Sequence, residues 1–225
     1  MAAEPADRVY CGLICHNVSK RHNIGTLVRS AAAFGVTEVC LTGSRQFNTF
    51  GSHGAAEYVS YRYFPSLQEC CACLKSERGC RIVGIEITDD AAQIQEHPFS
   101  GPTAFMLGNE GTGLSQGQVQ LCDTFVYIQQ YGAGTASLNV SVAASIVLHH
   151  FALWAGYQER SRHGEKFDVG ERPMRRAPRG TVPLTEGEME AERQRRAARK
   201  ACDGGRLLDG GSPESSAGQE LFEAA

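Results

Sequence analysis

YIQQYGAGTASLNVSVAASIVLHH, residues 127–150, runs from the end of a strand at Ile128 through a glycine-containing loop into a helix. Read alone, Gly132-x-Gly134-x-x-Ser137 mimics a relaxed dinucleotide-binding loop. A Rossmann unit needs a further strand ending in an acid about 20 residues on. Here the loop leads instead into one long helix, expected over residues 138–157, and then into a change of composition. The dinucleotide reading fails on that ground. The helix carries Val140, Val142, Ala143, Ile146, Val147, Leu148 and Phe151, apolar nearly all round, so every face wants cover. In so small a domain a second copy of the chain is the expected cover. With Asn139, two serines and His149–His150 inside it, the stretch falls short of the ~20 apolar residues that span a bilayer.

Upstream, strand and helix patterns alternate. Apolar runs at 9–14, 36–41, 82–87, 103–107 and 124–128 read as buried strands. Residues 23–34, 66–78 and 115–121 read as helices, the first closed by Gly35. Alternation of this kind predicts an α/β domain with a mainly parallel sheet and helices on both faces.

Two more segments are odd for pure packing. FMLGNEGTGLS, residues 105–115, takes a buried strand into Gly108, Gly111 and Gly113 around Asn109–Glu110. Open α/β sheets bind ligands beyond the carboxyl ends of their strands. The glycine spacing fits neither a dinucleotide fingerprint nor a P-loop. A literal GxSxG, centred on Ser115, lies several loop residues past Leu107, whereas a nucleophile elbow sits at the strand-to-helix turn. A hydrolase is the remote alternative. In NIGTLVRSAAAFG, residues 23–35, Asn23 reads as an N-cap. Gly25 in the first turn costs helix stability unless something approaches the backbone closely. Arg29 sits among small apolar residues.

Net charge is −3, from 22 Lys and Arg against 25 Asp and Glu. The tail, residues 158–225, is charge-balanced, so the body at 1–157 holds the acidic excess. A nucleic-acid binder is expected to show a basic footprint; here only local patches qualify, Lys20–Arg21 with Arg29 and the runs at 172–179 and 193–200. The tail is poor in large apolar residues and rich in charge, Gly and Pro, so it is expected to stay unordered alone. One exception is a helix announced by the capping box Thr185/Glu188. Nine cysteines, an odd and irregular set, argue against a disulfide scaffold. Cys70, Cys71, Cys73 and Cys80 have no second ligand pair to make a zinc site. Cys70 and Cys73 are read as buried on one helix face with Leu74. With no export signal read at the N-terminus, the expected compartment is cytoplasm or nucleus, away from membranes.

In order and spacing, the three segments match NxGxxxR, LGNEGxGL and SLNVSVA. Together they resemble the signature motifs of the SpoU/TrmH family of RNA ribose methyltransferases, of the SPOUT class. The resemblance covers the body and leaves the tail unexplained. It implies a fold that periodicity does not show, an α/β knot in which the C-terminal part of the domain threads a loop, with S-adenosylmethionine bound by the knotted loops and a homodimer as the assembly. It implies Arg29, Asn23, Glu110, Ser137 and Asn139 as catalytic residues. Cofactor contacts are implied at Ile85, Glu86, Gly108, Asn109, Gly111, Ile128, Gln129 and Leu138, with no metal. The implied reaction is methyl transfer to a ribose 2′-hydroxyl of tRNA or rRNA. A base methyltransferase on the same fold is the nearest alternative. The family's third loop usually opens Ile-Pro; here it opens Ile128-Gln129 and is one residue longer, so its shape is expected to differ.

Overall fold

Side chains alternate across a strand, and that alternation splits the core in two. The computed structural model describes residues 8–16, 21–47, 50–109, 111–173 and 180–204, with backbone alone at 21–22 and 199–204. Chain order is β1 (Cys11–His16), α1 (Arg21–Phe34), β2 (Glu38–Thr42), β3 (Ser60–Phe64), α2 (Leu67–Arg78), β4 (Arg81–Ile85) and β5 (Ala92–Gln93). Then come β6 (Thr103–Met106), α3 (Gln116–Val119), β7 (Thr124–Tyr127) and α4 (Val140–Trp154). The strands form one seven-stranded sheet in the order β3-β2-β1-β6-β4-β7-β5, paired in parallel throughout.

Leu13, Val39, Val83 and Phe105 point to one face, against Leu27, Val28 and Ala31 of α1 and Val147, Leu148 and Phe151 of α4. Ile14, Cys40, Ile82 and Met106 point to the other, against Leu67, Cys70, Cys71 and Leu74 of α2. Helices thus cover both faces, as the pattern predicts. On α2 the second buried thiol is Cys71; Cys73, expected there, is half-exposed. The eight described cysteines are free. Burial pushes the thiols of Cys15, Cys80 and Cys122 up to about 12, which leaves them poor nucleophiles.

Two strands of the seven-stranded sheet fall outside the expected elements. β3 carries Arg62 in mid-strand, which masks its apolar alternation. Glu38 at 3.1 Å and Glu77 at 2.7 Å neutralise that guanidinium, and an inward charge suits an edge strand. β5 is two residues long.

The first compact unit runs to Pro183, past the expected boundary at Tyr157. Its last part includes a short hairpin, β8 (Arg162–His163) with β9 (Lys166–Phe167), and returns to the body. Val182, 4% exposed, enters the core, and Thr181 bridges to Gln46. A single valine seated between ladder hydrogen bonds does not register in a composition-based boundary. The second unit contains α5 (Glu186–Gly204). Thr185 and Glu188 form the expected capping box, with Glu188 N–H donating to Thr185 Oγ1 at 3.3 Å and Thr185 N–H to Glu188 Oε2 at 2.9 Å. Arg196–Glu192, four residues apart at 3.0 Å, adds local support. No helix among the described residues is long and apolar enough to cross a membrane.

One half-buried contact makes stability depend on pH. His97 Nε2 and His150 Nδ1 are 3.0 Å apart, so one ring must accept a proton bond and stay neutral. Burial, then the nearby His97 and His149, depress the pKa of His150. The unfolded chain therefore takes up that proton more readily, and stability is complete above the ordinary His range of ~6.5 and falls as pH drops through it. Urea midpoints measured from pH 8 to pH 5 should show this fall, and His150→Gln should flatten it. An unchanged slope in the variant would clear the pair of responsibility.

Candidate active site

The register of the middle strands builds the site's floor. Gly84 pairs with Met106 and Ile85 with Val126. The carboxyl ends of β6, β4 and β7 therefore lie side by side, with Leu107–Gly108, Ile85–Glu86 and Tyr127–Ile128 along one edge. Of the residues expected to hold a cofactor, Ile85 and Ile128 are half-buried there and Gly108 is buried, and Leu138, just before α4, is half-buried too.

The second-motif loop closes on itself. Asn109 N–H donates to Gly113 O at 2.8 Å and Gly113 N–H to Asn109 O at 3.0 Å, while Asn109 Oδ1 accepts from Gly111 N–H at 2.9 Å. Gly108 is needed for this closure, since a Cβ there would stand 2.5 Å from the Gly113 carbonyl carbon. Gly113, at φ +68°, turns the chain back beneath Glu86. Glu86 accepts from Leu114 N–H at 2.8 Å and from Ile87 N–H at 3.1 Å, so the end of β4 braces the loop after β6. Gln118, which no motif singles out, donates its buried amide to Leu107 O at 3.1 Å. Its signal was present as the fourth residue of a Ser115-x-x-Gln118 capping box. Ser115 Oγ is spent in that box, which argues against its use as a nucleophile.

The third loop ties to the first motif. Asn139 caps α4, its Oδ1 accepting from Ser141 N–H at 2.9 Å and from the Ser141 hydroxyl. Its Nδ2 donates to Asn23 Oδ1 at 3.2 Å. Asn23 lies within the first turn of α1, two residues after the helix start at Arg21, and not at the cap position before it; it is buried and its amide reaches α4. Ser30 Oγ and Ser145 Oγ, 2.7 Å apart, repeat the link further along the same helix pair. Gln129, standing where the resembled family has proline, donates to Gln93 Oε1 on β5 and accepts from the Tyr131 hydroxyl at 2.6 Å. The loop's departure thus comes with its own anchor. Ser137 is exposed, its N–H and C=O engaged by Thr135 Oγ1. Arg29 is exposed on α1. The geometry joins Asn23 to Asn139 and leaves Arg29 and Ser137 open to solvent. Glu110 lies outside the described residues.

A parallel sheet covered by helices on both faces, with glycine-rich loops on one carboxyl edge, defines an α/β protein of the open-sheet class. The chain belongs to the SpoU rRNA methylase family, whose model matches residues 11–149. It is 34% identical over 142 residues to the 23S rRNA (guanosine-2′-O-)-methyltransferase RlmB of Acinetobacter baylyi, 61% of this chain and 57% of that one. It is 34% identical over 156 residues to a tRNA (guanosine(18)-2′-O)-methyltransferase of Thermus thermophilus, 67% of this chain and 79% of that one. Among solved structures it resembles the SpoU methyltransferase AviRb of Streptomyces viridochromogenes in complex with AdoMet, at 26% identity and a TM-score of 0.59, over 67% of this chain and 62% of that chain. It therefore spans somewhat under two thirds of the length of several of these relatives.

The double role of Asn139 can be separated. Asn139→Ala removes the cap of α4 and should cost about 1 kcal/mol in urea unfolding. Asn139→Asp keeps an acceptor for Ser141 but sets oxygen against Asn23 Oδ1, so it should recover most of the cap while losing the tie. Equal losses in both variants would show that the tie to Asn23, and not the cap, carries the stability.

Proposed function

We propose that this protein transfers a methyl group from S-adenosylmethionine to a ribose 2′-hydroxyl of a structured RNA, a tRNA or an rRNA. The observation that carries the reading is the Asn23–Asn139 bond, which joins the first and third motifs at 3.2 Å. Membership of the family and the relatives named above support it.

The residues present fit the cofactor. Ile85, Ile128 and Leu138 would line an adenosyl group, and the loop backbone at Gly108, Asn109, Gly111 and Gln129 would offer polar groups, a mix typical of such pockets. Glu86 uses two acceptor sites on backbone amides and retains capacity for a sugar hydroxyl. When bound, the cofactor supplies an electrophilic methyl on a positively charged sulfur. Every other task falls to the chain. Arg29 presents a planar fork that suits a phosphate; a guanidinium carries donors and no acceptor, so it is no base, and the 2′-hydroxyl proton would leave to a phosphate oxygen that Arg29 holds. Ser137 and Asn139 would orient the ribose, and Glu110 takes the part of the second motif's acid. Holding the hydroxyl in line supplies much of the rate.

The knot belongs to the same proposal. The connection from β4 to β5 passes the end of β7, and the connection from β7 to α4 passes the ends of β4 and β6. Two connections that each pass the other's origin on one edge support such a crossing, an arrangement nearly absent from ordinary sheets. A homodimer completes it, supported by an apolar stripe on α4 where Val142 is 47% and Leu153 59% exposed. Isologous pairing is the commonest way to cover such a stripe.

Calorimetry with S-adenosylmethionine alone should give micromolar binding, on the order of −8 kcal/mol. Arg29→Ala should leave that binding intact and lower methyl transfer to RNA by on the order of 10²-fold or more. Nucleoside mass spectrometry of the product should place the methyl on ribose; a methylated base would replace this reading with a base methyltransferase. For the assembly, light scattering should report about twice the chain mass of 24.3 kDa, and a monomer at micromolar concentration would sink the dimer.

A further inference from the structure

We propose that Tyr131 is a stacking platform for an unpaired nucleobase of the RNA substrate, an inference that rests on the RNA-methyltransferase reading. Tyr131 comes four residues after the end of β7 and is 91% exposed. It stands on the loop of residues 128–139, which begins at the half-buried Ile128 and ends at the helix cap Asn139. Three residues of chain from Ile128 reach at most about 11 Å. An RNA strand that approaches the cofactor edge along this loop therefore comes up against the ring.

The ring is tied in place by its far end. Its hydroxyl donates to Gln129 Oε1 at 2.6 Å, back toward the strand that it follows. Gln129 Nε2 donates in turn to Gln93 Oε1 on β5, and Gln95 Nε2 donates to the same oxygen. The phenol's polar group is thus satisfied within the protein and drawn toward the edge strand, while the faces of the ring are left to solvent. Tyrosine has only two side-chain torsions, and the bond to Gln129 restrains both. Little freedom remains to be lost when a partner arrives.

The surroundings suit a flat partner. Residues 130–137 are exposed throughout, and from 132 to 137 each is Gly, Ala, Ser or Thr. A Cβ at Gly132 or Gly134 would meet none of the described atoms within 4 Å beyond its chain neighbours, whereas one at Gly108 would run into the Gly113 backbone. The third loop therefore leaves space beside the ring that packing does not use. Every base offers a π-face that stacks on an aromatic side chain, and RNA supplies such bases unstacked in its loops, bulges and ends. The cofactor's adenine is flat as well, but its expected floor is the half-buried Ile85, Ile128 and Leu138. A ring as exposed as that of Tyr131 lies outside that floor.

The test uses the full chain and total RNA from cells lacking the protein. Methyl transfer from labelled S-adenosylmethionine is measured for wild type, Tyr131→Ala, Tyr131→Leu and Tyr131→Phe. Ala and Leu should raise the KM for RNA about tenfold with kcat little changed, the loss expected of one base–aromatic stack. Phe keeps the ring and gives up only the bond to Gln129, so it should stay close to wild type. Phe falling as far as Ala would place the effect in that bond and overturn the proposal, as would Leu matching wild type. Calorimetric affinity for S-adenosylmethionine should be the same in all four proteins; a loss there with an unmoved KM for RNA would give the ring to the cofactor's adenine instead. Emission of Tyr131→Trp should be quenched by the same RNA, beyond any change in wild type, whose single tryptophan is the baseline. A blunt RNA duplex should leave that emission unchanged, because its bases are already stacked. An unquenched indole, or equal quenching by the duplex, would also overturn the stack. Leu and Phe keep the bulk of the side chain, so they carry the comparison should Ala unfold. If wild type methylates no RNA, the functional reading fails, and the Tyr131→Trp emission then decides the stacking by itself.

Discussion

The chain has to come back from β7 to α1, and nearly everything at the site depends on how that return ends. β7 stands three places from β1 in the sheet, with β4 and β6 between them. α4 packs on α1, which comes directly after β1. The loop of residues 128–139 must therefore travel along the carboxyl edge, past both intervening strand ends. It stops at Asn139, whose carboxamide closes the start of α4 with its oxygen and reaches Asn23 with its nitrogen. Because one planar group does both, the register of α4 along α1 and the position of the loop are set together. The Ser30–Ser145 contact and the buried Val147, Leu148 and Phe151 then hold what the amide has aligned.

The same crowding explains the glycines. Gly108 and Gly84 are small because the protein's own atoms come close: the Gly113–Leu114 backbone in one case, the rings and methyls of Phe125 and Leu114 in the other. Reading a glycine-rich loop as ligand space is therefore only half right here. Gly111 is different, since its nearest neighbour is Asn109 Oδ1 at an ordinary 3.8 Å. Its freedom is not consumed by packing. A loop tied this tightly, with Glu86 gripping it from the next strand, presents fixed backbone groups, and fixed groups are what binding and catalysis use best.

Strands and helices were legible because burial on alternate faces leaves its period in the residues, and the capping box at Thr185 was legible because it is local. Gly25 announced a close approach correctly, although the group that approaches is the Phe50 carbonyl and not a ligand. Strand order was not legible, since nothing in a period of two says which strand lies beside which; a knot is expected only through family resemblance. β3 was hidden by Arg62, whose charge breaks the pattern that Glu38 and Glu77 repair in space. The return of residues 180–183 was hidden because it rests on backbone bonds and on Val182 alone. Asn23 was misplaced as a cap because the two residues before it continue the helix, and only the fold shows that its amide has a partner 116 positions away.

That returning segment changes what the charge balance means. Taken as a free tail, residues 158–225 offered basic runs for a polyanion. Arg172 is instead committed to Glu57, on the loop that seats against α1. A cation used to fasten that loop is no longer available as a general phosphate contact, and the acidic body gains structure from it where it would otherwise have gained field. In α5 the opposite arrangement holds: Glu186 and Glu188 in the first turn complement the helix dipole at that end, and Arg193, Arg195 and Arg196 follow in mid-helix. Its ion pairs are local, three or four residues apart and well exposed, and pairs of that kind are screened and worth little each. Basic residues held so loosely remain available to a stronger anion. The first unit thus uses Arg172 to fasten a loop, while the pairs Arg193–Glu190 and Arg196–Glu192 stay within their own helix.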